Sequence, residues 1–382
     1  MEQKVSGVYP EISIILPCLN EEKAIGACLE QIKTVIKANN LNAEIIVVDN
    51  GSTDKSCQIA VKKGVHLVHE EEKGYGCAYL KGFSVARGKY LFLADSDASY
   101  DFNEIPKFTG ELKKGYDFVL GNRFKGKIAK NAMPWAHRYI GNPVLSGVLR
   151  LFFKVKVHDA HCGMRAITSK ALEMLNLKTI GMEFASEMII MAGKNNLQIA
   201  ELPIDYHKRL GNSKLKSFVD GWRHLRFMLL YSPLFLFFLP GVVLFLIGAG
   251  LMLWMYFASP TIFGLKLHFH PMFFAALLII IGYQLVIFAL FAKTYSITHL
   301  KDEPIFDKFY KYVTIEKASI IGILMVFLGL IIYFGICAKW LKSGFGEINE
   351  VKNSIVALTL VIIGMQTVFS SFMLSILGIK ER

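Results

Sequence analysis

An α/β domain with a mainly parallel sheet, followed by one interfacial helix and four transmembrane helices, is the fold class that this sequence predicts. Three observations predict it. In the first 215 residues, short apolar runs alternate with amphipathic stretches at βαβ spacing. From residue 234 onward, four uncharged runs dominate the chain, each about 20 residues or longer, the length a bilayer core demands. The chain as a whole is 53% hydrophobic, with a mean hydropathy of +0.40, more apolar than one soluble globule. The expected organisation is a soluble domain over 1–215, an interfacial helix over 216–233 and a membrane domain over 234–382.

The soluble elements follow in order. "ISIILP" (12–17) is a short apolar run ending in proline and reads as a buried strand. "NEEKAIGACLEQIKTVIKANN" places Ala24, Ile25, Cys28, Ile32, Val35 and Ile36 at helical spacing, with Asn20 as the expected N-cap. "EIIVVDNGSTD" is a second strand breaking at Asn50-Gly51, and Ser52 or Thr53 is expected to cap a helix reaching about Lys63. "VHLVHE" is the third strand, and "GYGCAYLKGFSVARG" a helix opened by glycine. "KYLFLADSD" is the fourth strand, "FNEIPKFTGELKKG" a helix and "DFVLGNRF" the fifth strand. Alternation of this kind gives a largely parallel sheet, whose ligands bind at the carboxyl ends of its strands.

In "KSFVDGWRHLRFMLLYSP", Phe218, Trp222, Leu225 and Leu229 share one helical face, which suits a helix lying in the membrane interface. The four spans are expected at 234–258, 271–292, 318–338 and 354–378. The 293–317 loop carries Lys293, Lys301, Lys308, Lys311 and Lys317, against Lys266 alone in 259–270, so the positive-inside rule puts that loop, the N-terminal domain and both termini in the cytoplasm. The net charge of +12 includes Lys208, Arg209, Lys214, Lys216, Arg223 and Arg226 just before the first span, a patch that attracts anionic lipid headgroups. No aromatic-basic pattern points to nucleic acid. Six cysteines without a CxxC read as free thiols.

"YLFLADSDASYD" raises the chemical question. An apolar strand delivers Asp95 and Asp97 to its carboxyl end, where two carboxylates can meet one divalent ion. All-oxygen ligands suit Mg²⁺ or Mn²⁺, which complete their shells with substrate phosphates. "HDAHC" offers His158, His161 and Cys162 as an alternative zinc site, without a fourth ligand at a defined spacing.

The acidic triplet, taken with "LPCLNEE" and "VVDNGSTD" at two earlier strand ends, resembles the family 2 glycosyltransferases of the GT-A fold, over nearly all of residues 10–230. "GNRF", "RYIGN", "DAHCGMRA" and "KRLGNSKL" narrow the resemblance to the dolichyl-phosphate mannose synthase and polyprenyl-phosphate glucosyltransferase branch. It implies that Pro17, Asn20, Glu21 and Asp49 line the base and ribose pocket, that Gly51 and Ser52 allow close backbone approach, and that Gly74 and Gly76 flank the nucleotide. It also implies that Asp95 touches the ribose or the metal, that Asp97 is the main metal ligand, and that Ser99 stands at a further ligand position. Arg123, Arg138, Arg209, Ser213 and Lys214 would surround the acceptor phosphate, and Asp95, Asp97 and Arg123 would form the catalytic set. Asp159 is open to either a site role or a partnership with an arginine such as Arg165, and Glu187 faces either the site or solvent.

The resulting expectation is inverting transfer of a hexose from a nucleotide sugar, UDP-glucose or GDP-mannose, to a polyprenyl phosphate at the cytoplasmic membrane face. A phosphate monoester with a second pKa of about 6 is already charged at neutral pH and needs no general base. A processive polysaccharide synthase is one alternative, although its Gln-x-x-Arg-Trp motif is absent. A non-catalytic membrane scaffold is the other, and the intact Asp95/Asp97 pair speaks against it.

Overall fold

β1 (Ile12–Cys18) and β2 (Ala43–Asp49) are buried along most of their length because both faces of the sheet are covered. On one face Ile12, Ile14 and Leu16 join a core with Ile25, Leu29 and Ile32 of α1 (Ile25–Ala38) and with Phe108 of α4 (Ile105–Lys113). Each such side chain contributes about 1.5–3 kcal/mol of burial free energy. α3 (Tyr75–Val85) packs on β1 and β2. The computed structural model describes residues 9–211, 217–258, 260–262, 265–299 and 314–378.

The strand order is β3-β2-β1-β4-β6-β5-β7, with β3 at His66–His69, β4 at Tyr90–Leu93, β5 at Phe118–Asn122, β6 at Arg165–Thr168 and β7 at Ile199–Pro203. β1 pairs in parallel with β2 and β4, β2 with β3, and β5 with β7. β6 runs antiparallel to both β4 and β5, so the sheet is mixed, and two of its seven strands lie beyond the five expected. This is the GT-A-like arrangement that the motifs imply.

Several local expectations are corrected. α1 begins at Ile25 with Ala24 as its cap residue, so Asn20 is not the N-cap. α2 (Ser56–Lys62) starts four residues after Ser52, whose hydroxyl instead accepts from the Asn20 amide at 2.9 Å. β4 ends at Leu93, short of the acidic triplet. The helix expected from Phe102 opens as one 3₁₀ turn, Phe102–Glu104, before α4.

Two compact units divide between Met228 and Leu229. α8 (Ser217–Leu230), expected as an interfacial element, therefore belongs to the soluble unit for most of its length. His224 and Met228 are buried on it, while Trp222 is exposed.

In the second unit, four helices are long and apolar enough to cross a membrane: Leu234–Phe257, His270–Thr298, Ile315–Lys342 and Val351–Leu377. They contain the four expected runs to within a residue or two at their ends and extend past several of them. Ile320, Leu324, Phe327, Ile331 and Phe334 of the third span point outward, as suits a helix bathed in lipid. Inside the bundle, Tyr283 and Thr367 share a 2.6 Å hydrogen bond, and Gln366 donates to Gln284 at 2.9 Å. Such bonds satisfy polar groups that hydrocarbon cannot.

Candidate active site

The carboxyl edge of the sheet borders a cavity of about 760 Å³ in the soluble unit. Pro17, Glu21, Gly74, Asp95, Asp97, Arg123 and Arg209 of the expected set line it. Asn20, Asp49, Gly51, Ser52, Gly76, Ser99 and Arg138 do not stand in its wall. Ser213 and Lys214 lie outside the described residues.

The acidic turn is built for aim. Ala98, between Asp97 and Ser99, has φ +62°, a left-handed conformation that a non-glycine residue holds only under constraint. The constraint comes from both sides. Asp97 Oδ1 accepts from the Ser99 amide at 2.9 Å and from the Ser99 hydroxyl, while the amides of His207 and Leu210 donate to the Ser99 and Asp97 carbonyls at 2.9 Å. Ser99 is fully buried and its hydroxyl is committed to Asp97, so it stands behind that carboxylate and not beside it in the wall. Asp95 Oδ1 accepts from the Tyr75 hydroxyl at 3.0 Å. Burial, and then the neighbouring Asp97, push the Asp95 carboxyl up to about 6.

This donor set fits a hard divalent cation. It offers two converging carboxylates, all-oxygen chemistry and open cavity on one side for phosphate oxygens. Asp49, Cys57 and His69 also bring potential ligand atoms within 4.8 Å of one another. Asp49, however, is already tied to the Ser52 amide at 3.0 Å and to His69 at 3.1 Å. The zinc reading of "HDAHC" fails because its residues part company. His158 pairs with Glu201 at 2.9 Å, Cys162 is buried by Tyr100, and His161 turns toward Ser186.

The residues outside the wall mostly hold up the residues in it. Asn20 Oδ1 accepts from the Thr53 and Asp54 amides at 2.7 and 3.3 Å, locking the first strand end to the second. Gly51 turns the chain there with φ +90°. A Cβ on Gly74 or Gly76 would stand 2.1–2.2 Å from the carbonyl oxygens of Ile180 and Thr179. These glycines therefore admit a neighbouring protein segment, an explanation in addition to any nucleotide. Glu187 faces neither the site nor solvent; it is buried and accepts from the Lys178 and Thr179 amides, fixing that same segment.

The cations behave differently from one another. Arg123 is buried and forks onto Asp159 with two 2.8 Å bonds, while stacking over Tyr206 at 5.0 Å. Burial opposes its charge, but the Asp159 carboxylate more than compensates and raises its affinity for the proton. Asp159 is thus the partner of Arg123, not of Arg165. Arg138 stands over the Tyr139 ring, and its neighbour His137 reaches the wall instead. Arg209 contacts Glu21 at 3.0 Å and Asp97 at 3.6 Å, and its buried Nε has no partner among the described residues.

Sequence reasoning passed over Gly163, Tyr75 and His224, and it read His161 only as a zinc candidate and Arg165 only as a possible partner of Asp159. Arg165 lines the cavity with its guanidinium held by the carbonyls of Ala160, Cys162 and Ala185. Gly163 leaves room for Asp95, since a Cβ there would lie 2.3 Å from Asp95 Oδ2. "CGMR" carried the only available signal: a glycine just before a strand and an arginine that opens it.

The model of glycosyl transferase family 2 matches residues 13–175, and that of the family 2 C-terminal transmembrane region matches residues 290–378. The low-salt glycan biosynthesis hexosyltransferase Agl6 of Haloferax volcanii is 38% identical over 376 residues, 98% of this chain and 90% of its own. The dolichyl-phosphate hexose transferase of the same organism is 31% identical over 215 residues, 56% of this chain and 90% of its own. Glucosyl-3-phosphoglycerate synthase of Mycobacterium tuberculosis, solved with Mn²⁺, UDP and glucosyl-3-phosphoglycerate, overlays with a TM-score of 0.48 at 20% identity, covering 58% of this chain and 80% of its own. With a relative at that first level of identity spanning almost its whole length, the chain belongs to glycosyltransferase family 2, and its apolar spans make it an integral-membrane glycosyltransferase.

Proposed function

We propose that the protein transfers a hexose, with inversion, from a nucleotide sugar to a polyprenyl phosphate at the cytoplasmic membrane face. The observation that carries this reading is the convergence of Asp95 and Asp97 with Arg123, Arg165 and Arg209 on one cavity, in a chain that also holds four membrane spans. Carboxylates and guanidinium groups side by side suit a reaction between two phosphate-bearing molecules. A hexosyltransferase and a dolichyl-phosphate hexose transferase among its relatives support the hexose and the polyprenyl phosphate.

Asp95 and Asp97 would hold Mg²⁺ or Mn²⁺, which when bound supplies Lewis-acid neutralisation of the leaving diphosphate. Pro17, Glu21 and Asn50 would receive the base and ribose, with Asp49 braced behind Asn50. Arg209, in the cavity wall beside Asp97, would take a phosphate oxygen. Arg123, oriented by Asp159, would place the acceptor phosphate for in-line attack, a positioning role. Exposed Trp135, Tyr139, Ile140, Val144 and Leu151, running from a π-helical turn into α5 (Asn142–Phe153), give the soluble unit an apolar face suited to lipid. The lysine-rich loop between the second and third spans supports the cytoplasmic side.

The test is incubation of the purified full chain with radiolabelled UDP-glucose or GDP-mannose, Mg²⁺ or Mn²⁺, and a polyprenyl phosphate. Label in the organic-extractable lipid, as the β-anomer, is the expected result. Label in a polymer would replace this reading with a processive synthase, and no transfer from either donor would reject it.

A further inference from the structure

We propose that His161 and His224, bridged from behind by the buried Ser186, form the wall that reads the hydroxyl groups of the donor's hexose, with His224 as the specificity-determining residue. The inference rests on the donor reading above and adds residues to which that reading gives no part.

Position along the sheet edge comes first. The strand order runs β2, β1, β4, β6. The base-side residues Pro17 and Asn50 sit at the ends of β1 and β2, and the acidic turn follows β4. A donor with its base at the first two strands and its diphosphate at the third directs its sugar toward β6. The chain entering β6 carries His161, and its Gly163 lies against Asp95. Arg165 binds the carbonyls of Ala160 and Ala185, pinning the segments of His161 and Ser186 together at that place.

The local chemistry suits a sugar better than an anion. Ser186 Oγ is 3.3 Å from His161 Nε2 and 2.8 Å from His224 Nδ1, and the two rings meet edge to face at 4.4 Å. One hydroxyl proton serves one ring, while the other ring donates to the serine. Both imidazoles stay neutral. Burial holds His161 well below the usual range, helped by His224, Arg165 and Arg123, and burial takes His224 down to about 4, against the pull of Asp220. A neutral imidazole offers one donor and one acceptor, the pattern of a sugar hydroxyl, whereas a phosphate dianion accepts only. With Nδ1 of His224 engaged by Ser186, Nε2 is the nitrogen left for the cavity that this residue lines. His161 Nδ1 has no partner among the described residues.

A purely structural pair would join α7 (Phe184–Lys194) to α8 and do nothing more, so the test separates the two cases. His224→Asn keeps a polar nitrogen near the Nδ1 position for Ser186 and deletes the Nε2 side; His224→Gln retains a group near Nε2. On the full chain, kcat/KM would be measured for UDP-glucose, UDP-galactose, GDP-mannose and GDP-glucose, with titration calorimetry for UDP and GDP. His224→Asn should lower kcat/KM for the preferred donor at least about tenfold and shift its ratio to the epimer, with nucleoside diphosphate Kd within twofold of wild type; His224→Gln should recover part of the loss. An equal fall for every donor, or no change, overturns the assignment. Should wild type turn over no donor, the transfer reading fails on its own, and calorimetry still decides this one. A tighter Kd for nucleotide sugar than for bare nucleotide, lost in His224→Asn, sustains it; the same margin in both proteins overturns it.

Discussion

The two halves of the cavity are built by different rules. On the side of β1, β2 and β4, each strand runs directly into its functional residues: Pro17 and Glu21, Asn50, Asp95 and Asp97. Neighbours a few residues away, such as Ser52 and Ser99, finish the local geometry. On the other side, the contacts join distant segments. Arg123 meets Asp159, Arg209 meets Glu21, and His161 meets His224 through Ser186. The lesson is that the first half should fail chemically when mutated, and the second half structurally as well, because its cations are anchored by partners that would otherwise be stranded.

The largest effect is expected in the first half. Asp97→Asn should reduce transfer by about 10³-fold or more with an unchanged melting temperature, read by lipid-linked label and thermal denaturation. A large loss of stability would erase the distinction between the halves. In the second half, Asp159→Ala leaves Arg123 buried without its counter-ion and should cost about 3–5 kcal/mol, seen as a lowered melting temperature in the full chain. A stable Asp159→Ala protein would move Arg123 into the purely chemical class.

Arg209→Ala sharpens the comparison, because its partners Glu21 and Asp97 both lie in the first half. Its expected cost is smaller, about 10- to 100-fold in kcat/KM, with stability nearly kept. Acidification gives the mildest effect. His161 and His224 are held neutral when folded, and the unfolded chain protonates them near the usual 6.5. Stability is therefore complete above about pH 6.5 and falls below it; His224, lowered to about 4, accounts for on the order of 3 kcal/mol of loss by about pH 4, and His161 adds a loss of the same sign. Denaturation midpoints at pH 7.5 and pH 5 check this, and His224→Asn should flatten the slope.

The same division governs what the sequence made legible. β1 to β5, the four spans and the acidic turn could be read because each is announced by a contiguous pattern of apolar run, glycine break or carboxylate pair. β6 and β7 could not, since "RAIT" and "IAELP" each hold only two adjacent apolar residues, beside Arg165 in one and Glu201 in the other. Asn20 looked like a helix cap because caps and strand-bridging clamps use the same side-chain oxygen. The partner of Arg123 lies 36 residues away, and no spacing rule selects Asp159 over the other carboxylates. His224 was hidden in a helix whose exposed Trp222 drew the reading toward lipid.

Gly163 shows how little slack surrounds the acidic turn. The 2.3 Å gap between its missing side chain and Asp95 means that one added methyl group would swing the carboxylate away from Tyr75 while every ionisable group stayed in the chain. Gly163→Ala is thus a blunt blade inside the machine: it disarms the protein by shape alone, and yields an inert version with its full complement of charge for capturing both substrates together.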